Sequence, residues 1–223
     1  KYLNYIDDLL RKHIQLFLKG LRSRFEIFHD WYSKFRATAG ATLSDLVNGG
    51  ERIAHFIFSK FTNWSPISAP VGSDLFFETE DAFIHIEVKS SLISNPSDYK
   101  GRVNIREDQT SYPAQTQPPF DPKLPSYYGF KTRFEKPCLT FVLHIISEDG
   151  QIIQQKNLDR NPILILLLAI PNGQLYNHYK QDVVSSGKSR KKGVLRRTDF
   201  RFEYRKDLIF RVIQKKEGKE EFR

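Results

Sequence analysis

The stretch GSDLFFETEDAFIHIEVKSS, residues 72–91, decides the fold because it predicts two adjacent β-strands, near 73–79 and 82–90. We expect an antiparallel hairpin with Glu80 and Asp81 at its tip, in which Leu75 lies opposite Ile86. Successive side chains of a strand point to opposite faces of the sheet. One face of this hairpin is therefore apolar from end to end and must pack on the core.

The other face of the hairpin gathers charged side chains. It places Phe76 opposite His85 and Asp74 opposite Glu87, with Lys89 on the same face next to Glu87. Directly opposed residues have Cβ atoms roughly 5 Å apart, so two carboxylates and one ammonium group meet. Two unpaired carboxylates this close repel each other, so one is protonated or the pair binds a cation, for which Mg²⁺ is suited. The alternative is a surface strand pair with an ion pair between Glu87 and Lys89.

Size and composition favour a soluble protein with a polyanionic partner. The 223 residues suit one compact unit, which we divide into an N-terminal helical region, 1–40, and a main domain, 41–223. The net charge of +9 favours nucleic acid over an anionic membrane, although solubility charge alone is an alternative. The single cysteine, Cys138, excludes an internal disulfide framework. With no signal-peptide pattern and no long apolar run, we expect a cytoplasmic location and no membrane partner.

Periodicity predicts the remaining elements. Apolar residues at helical spacing indicate a helical region over 2–36, with a break near Gly20, and a helix over 43–61. A short helix near 105–111 leads into a proline-rich loop. Continuous apolar runs predict two central strands buried on both faces, and alternation predicts two later strands, over residues 136–147, 161–171, 196–204 and 208–213.

The charged face carries the pattern D-x(12)-E-x-K, on two adjacent strands that follow a helix. This pattern resembles the PD-(D/E)xK nuclease superfamily, in which type II restriction endonucleases are the best-populated branch. The first carboxylate of the motif matches Asp74, and the second element matches Glu87-Val88-Lys89. Ser73 stands directly before Asp74, where the superfamily has proline.

The resemblance implies a role for each matched residue. Asp74 and Glu87 would hold Mg²⁺ with the Val88 carbonyl as a further ligand, and Lys89 would position or activate the attacking water. Glu51, on the preceding helix, could be the additional acidic residue that some members contribute.

The resemblance covers residues 43–170 and also implies the fold and the activity. The fold class is α/β (α+β), with a central mixed β-sheet flanked by helices and an N-terminal helical region. The resemblance would make the main domain, 41–223, the endonuclease-like catalytic and DNA-binding domain. The implied activity is that of a Mg²⁺-dependent type II restriction endonuclease. It would cleave double-stranded DNA at a short palindromic site, as a homodimer in a prokaryotic cytoplasm. A junction-resolving or repair nuclease of the same superfamily, or a non-catalytic basic DNA-binding module, are the alternatives.

Two segments carry candidate DNA contacts. The segment GRVNIREDQTSY, residues 101–112, contains side-chain types that read base edges, namely Arg102, Asn104, Arg106 and Gln109. A basic segment further along could neutralise phosphates through Lys188, Arg190, Lys191, Lys192, Arg196 and Arg197. The alternatives are a solvated polar face for the first segment and a lysine-rich edge hairpin for the second.

Overall fold

The computed structural model describes residues 1–22, 43–67, 73–113, 123–129, 135–147, 162–180, 182–186, 199–204 and 210–216. The described helices are α1 (Tyr2–Lys12), α2 (Ile14–Arg22), α3 (Leu43–Phe61) and the single turn α4 (Tyr176–Tyr179). The described strands are β1 (Ser65–Pro66), β2 (Leu75–Glu78), β3 (Phe83–Leu92), β4 (Arg102–Arg106), β5 (Tyr127–Tyr128), β6 (Lys136–Ser147), β7 (Pro162–Ile170), β8 (Val184–Ser186), β9 (Asp199–Glu203) and β10 (Phe210–Lys215).

A mixed sheet forms the centre of the molecule, as predicted. Its strand order is β1-β2-β3-β6-β7-β10, with β5 paired to the start of β6. Strands β3 and β6 are parallel, whereas the other neighbouring pairs are antiparallel. A second, smaller sheet has the order β4-β9-β8.

The central sheet is buried on both faces, and the three long helices α1, α2 and α3 pack against one of them. That face, which includes Ile84 and Leu143, forms one core cluster with α1, α2 and α3. The opposite face, which includes Val142 and Leu166, packs against the small sheet through Val103 and other apolar residues. Fully burying one such aliphatic side chain stabilises the fold by about 1.5–3 kcal/mol. In the described residues the three long helices therefore flank one side, and the small sheet with the single turn α4 covers the other.

The N-terminal helical region breaks earlier than predicted. Helix α1 ends at Lys12, and the next residue, His13, has a φ of −111° and a ψ of 20°, which lie outside the helical range. The ring of His13 stacks on Phe61 of α3, with centroids 3.8 Å apart, whereas Gly20 lies buried inside α2. A tertiary contact therefore decides the break, and the predicted continuation over 23–36 lies outside the described residues, as does the domain boundary at 40.

The short helix predicted near 105–111 is wrong. Residues 102–106 form β4, which pairs with β9, and a single 3₁₀ turn, Glu107–Gln109, follows it. Val103 and Ile105 are buried on one face of β4, so pairing and burial prevail over the helical pattern. The two-residue strands β1 and β5 carry no sequence signal and were not predicted. In the described part of the chain, no helix is both long and apolar enough to cross a bilayer.

Candidate active site

The hairpin of β2 and β3 has the predicted register. Leu75 pairs with Ile86, and Phe76 pairs with His85. Asp74 directly precedes β2, and at this position hydrogen bonds that involve side chains replace the backbone hydrogen bonds between the two strands. The backbone N–H of Asp74 donates to Glu87 Oε1 at 3.3 Å, and the N–H of Val88 donates to Asp74 Oδ2 at 2.8 Å. The structure thus brings both carboxylates together at the end of the hairpin.

Lys89 completes this group. Its Nζ lies 3.4 Å from Glu87 Oε2 and 2.9 Å from Gln109 Oε1. The side chain of Lys89 is 23% exposed, whereas that of Glu87 is 0% exposed. The ammonium group therefore lies beside two buried side chains, Glu87 and Gln109, while part of the Lys89 side chain is open to solvent.

Because Glu87 is buried, ionising its carboxyl group costs free energy. Loss of solvent raises the pKa of the Glu87 carboxyl well above its ordinary value, the charge of Asp74 raises it further, and Lys89 opposes the rise. A divalent cation between the carboxylates would stabilise the charged form, so hard oxygen donors and electrostatics both fit such an ion. In the described part of the chain, no group of three or more His, Cys, Asp or Glu side chains is placed to hold a metal. The pair would thus need backbone and water oxygens to complete a coordination shell.

Helix α3 approaches the back of β3 closely at Gly50. A Cβ atom at this position would lie 3.1 Å from Ile145 Cδ1 and 3.2 Å from Val88 Cγ1. The absence of a side chain therefore allows the helix to lie directly against the strand that carries Glu87. The next residue, Glu51, has a pKa raised first by burial and then by the charge of Asp74, while Lys89 lowers it. The structure thus brings Glu51 into the electrostatic field of the site.

A hydroxyl–imidazole pair supports the residue before Asp74. Ser73 Oγ donates to the Leu75 carbonyl at 3.0 Å, so it must accept from His85 Nδ1, 2.9 Å away. The ring of His85 stacks on Phe76 at 4.1 Å, and burial lowers the pKa of His85 to about 3. His85 is therefore neutral and orients Ser73. The sequence placed His85 on this face but gave no sign of its bond to Ser73.

The residues predicted to read DNA separate into two groups. Arg102, Asn104 and Arg106 alternate with the buried residues of β4 and lie partly exposed on its other face. Gln109 is only 2% exposed and contacts Lys89. The structure therefore places the Gln109 side chain beside Lys89, whereas the other three candidates lie partly exposed on β4. The predicted phosphate contacts Lys188, Arg190, Lys191, Lys192, Arg196 and Arg197 lie outside the described residues.

A mixed sheet that brings two carboxylates and a lysine together on adjacent strands has the architecture of a restriction-endonuclease-like nuclease. Residues 1–151 match the family model of the N-terminal domain of the type II restriction enzyme MwoI, and residues 163–216 match that of its central domain. The chain belongs to this family, and it is a type II site-specific deoxyribonuclease. Family membership selects this class over the two alternatives and suggests a divalent metal cofactor.

Solved structures support the same fold. The restriction endonuclease BglI, bound to its DNA recognition sequence, has 14% identity and a TM-score of 0.65, over 96% of this chain and 90% of that chain. The tetrameric restriction endonuclease SfiI, bound to cognate DNA, has 12% identity and a TM-score of 0.64, over 91% of this chain and 76% of that chain. No curated protein sequence matches the chain significantly.

Proposed function

We propose that this restriction endonuclease requires Mg²⁺ and cleaves double-stranded DNA at a short palindromic site, acting as a homodimer in the cytoplasm of a prokaryotic cell. The observation that carries the metal requirement is the buried contact between Asp74 and Glu87. Glu87 is fully removed from water, and the charge of Asp74 raises its pKa further, so both carboxylates need a cation to be ionised together. The family supplies the deoxyribonuclease activity, and this contact supplies the reason for the metal.

The proposed metal ligands are Asp74, Glu87 and the Val88 carbonyl. In a strand, the N–H and C=O of one residue point toward the same neighbouring strand. The N–H of Val88 donates to Asp74, so the carbonyl of Val88 also points toward Asp74, which directly precedes β2. Glu51 is the candidate for the additional acidic residue of the site, which influences the carboxylates through its charge. Bound there, Mg²⁺ would polarise the phosphate and lower the pKa of an attacking water.

Lys89 is the proposed catalytic cation. Its ammonium group stands beside Glu87 with part of the side chain open to solvent. From this position it can orient the attacking water and stabilise the charge that develops on the phosphoryl oxygens. A fixed charge in a largely buried site stabilises the transition state more than the same charge in water.

DNA binding is proposed for the partly exposed face of β4 and for the basic segment that follows β8. Arg102, Asn104 and Arg106 are the candidates for base contacts, and residues 188–197 are the candidates for phosphate contacts. Phosphate contacts set the position of the protein, whereas base contacts determine the sequence. A two-fold symmetric dimer would present the same side chains to both halves of a palindromic site.

Plasmid digestion tests the proposal. We expect discrete fragments with Mg²⁺, none with a chelator, and fragment ends that map to one palindromic sequence. The Asp74→Asn variant should lose cleavage, while the control Asp8→Asn, on the exposed side of α1, should retain it. An active Asp74→Asn variant would overturn the site assignment. A smear of products would instead indicate a less specific nuclease. The molar mass from light scattering, measured with and without DNA, tests whether the protein is a homodimer.

A further inference from the structure

The side chain of Gln109 connects β4 to the catalytic strand. Its Oε1 accepts hydrogen bonds from Lys89 Nζ at 2.9 Å and from the backbone N–H of Arg106 at 3.0 Å. A carboxamide oxygen has two lone pairs, so both of its acceptor positions are used. Gln109 thereby binds the catalytic ammonium group with the same atom that closes the end of β4.

Within the described parts of the chain, Lys89 Nζ has two hydrogen-bond partners, and Gln109 is the closer one. Charge-assisted hydrogen bonds from an ammonium group are typically about 2.7–2.9 Å long. The contact with Gln109 has this length, whereas the contact with Glu87 is 3.4 Å. The position of the ammonium group is therefore set chiefly by an uncharged amide.

The segment around Gln109 is firmly held. Gln109 ends the 3₁₀ turn after β4, and the next residues, Thr110 and Ser111, are fully buried. The backbone carbonyl of Thr110 accepts from the N–H of Leu124 at 2.9 Å, and Tyr112 is buried with its hydroxyl donating to the Lys180 carbonyl. A side chain anchored in this way can fix its partner at a low entropic cost.

We propose that Gln109 is a positioning residue, which holds the Lys89 ammonium group in its catalytic place and ties it to β4. The inference rests on the proposed function of Lys89. Because Oε1 also accepts the Arg106 N–H, a displacement of β4 changes the geometry offered to Lys89. Contacts of DNA with the partly exposed face of β4, formed by Arg102, Asn104 and Arg106, would therefore shift the position of the Lys89 ammonium group through Gln109.

Labelling of the lysine tests the contact without depending on nuclease activity. Gln109→Met keeps the length of the side chain but removes the acceptor, whereas Gln109→Glu keeps an acceptor oxygen. The matched control is Gln174→Met, because Gln174 is exposed. Acylation of Lys89 by a succinimidyl ester, followed by peptide mass spectrometry, should be several-fold faster in Gln109→Met than in the wild type. The Gln109→Glu and control variants should resemble the wild type. Equal labelling of Lys89 in all variants would overturn the proposal.

Single-turnover cleavage then tests the catalytic consequence. Loss of a supporting partner typically costs about 10–100-fold in activity, so we expect a rate reduction of that size in Gln109→Met. The dissociation constant for DNA should change by less than about threefold, and Gln109→Glu should recover part of the rate. A matching loss of DNA affinity would instead make Gln109 a DNA contact and overturn the positioning role.

Two further controls separate the outcomes. If the melting temperature shows that Gln109→Met is unfolded, Gln109→Asn takes its place, because the shorter amide cannot reach Lys89 while the side chain stays polar. If the wild-type protein cleaves no DNA, the proposed function fails, and the labelling experiment still decides the Gln109–Lys89 contact.

Discussion

Replacing Glu87 by Gln should stabilise the metal-free protein while abolishing its activity. The Glu87 side chain is fully buried, and its carboxyl has a pKa raised well above the ordinary value of 4.5, chiefly by loss of solvent. A carboxyl whose pKa is raised on folding contributes its full stability below pH 4.5, where both states are protonated. That contribution is lost as the pH rises toward the folded-state pKa. Gln resembles the protonated carboxyl at every pH and avoids this loss.

The size of the effect follows from the same linkage. Each pKa unit between the folded and unfolded states corresponds to about 1.4 kcal/mol. The weakened contact with Lys89 offsets part of this gain, because the amide NH₂ of Gln cannot accept a hydrogen bond. We therefore expect a net gain of about 1–2 kcal/mol at neutral pH, as for other substitutions that relieve strain at functional sites. For a chain of this length, such a gain raises the melting temperature by about 2–8 °C.

Thermal unfolding followed by circular dichroism, in the presence of a chelator, measures this difference. The matched control is Glu80→Gln at the exposed hairpin tip. The melting temperatures of Glu87→Gln and the wild type should converge near pH 4.5 and diverge at neutral pH. Added Mg²⁺ should raise the melting temperature of the wild type more than that of Glu87→Gln. If Glu87→Gln melted below the control in chelator at neutral pH, the argument from burial would be refuted.

Three further predictions concern the core, the histidines and the DNA contacts. Ile84→Ala, at a fully buried position between the sheet and the helices, should cost about 2–5 kcal/mol in urea unfolding. Burial lowers the pKa of both His85 and His144 to about 3. The unfolded chain therefore binds more protons than the folded chain below pH 6.5. The variant Glu87→Gln is used for this measurement because it removes the titration of Glu87 itself. Its unfolding free energy should fall by up to about 1.4 kcal/mol per pH unit for each histidine ring as the pH drops below 6.5. Arg106→Ala should weaken DNA binding by about 1–3 kcal/mol and relax the sequence preference at one position, as measured by fluorescence anisotropy with duplexes that vary at that position.

The catalytic hairpin could be predicted because its information is local. Alternation of apolar residues along β2 and β3 selects one core face, and a one-residue shift would bury the charged side chains in the core. The predicted pairing of Leu75 with Ile86 is compatible with that pattern, and it carries Asp74 to Glu87. The two long central strands were also predictable, since burial on both faces requires continuous apolar runs.

The small sheet could not be predicted, because its information is not local. Strand β4 pairs with β9, about a hundred residues further along the chain, as in the pairing of Arg102 with Glu203. Residues 102–106 do alternate in polarity, and this alternation was the available signal for a strand. No local pattern indicates that the turn after β4 brings Gln109 to Lys89, since that contact depends on how the small sheet packs against the central one. The sequence therefore indicated the chemical groups and pointed to Gln109 as a DNA contact, but it did not predict the contact of Gln109 with Lys89.

Strand β3 serves the core with one set of side chains and the site with the other. Glu87 and Lys89 can share the site only because one core residue, Val88, lies between them. The interior of β3 and the tip of the hairpin should therefore differ in how well they tolerate inserted residues. One residue added within β3 between Ile84 and Glu87 would exchange the two sets and destroy both core and site. An even extension beyond the tip at residues 80–81 would leave them intact, so this tip is where a reporter or affinity sequence could be introduced into the enzyme.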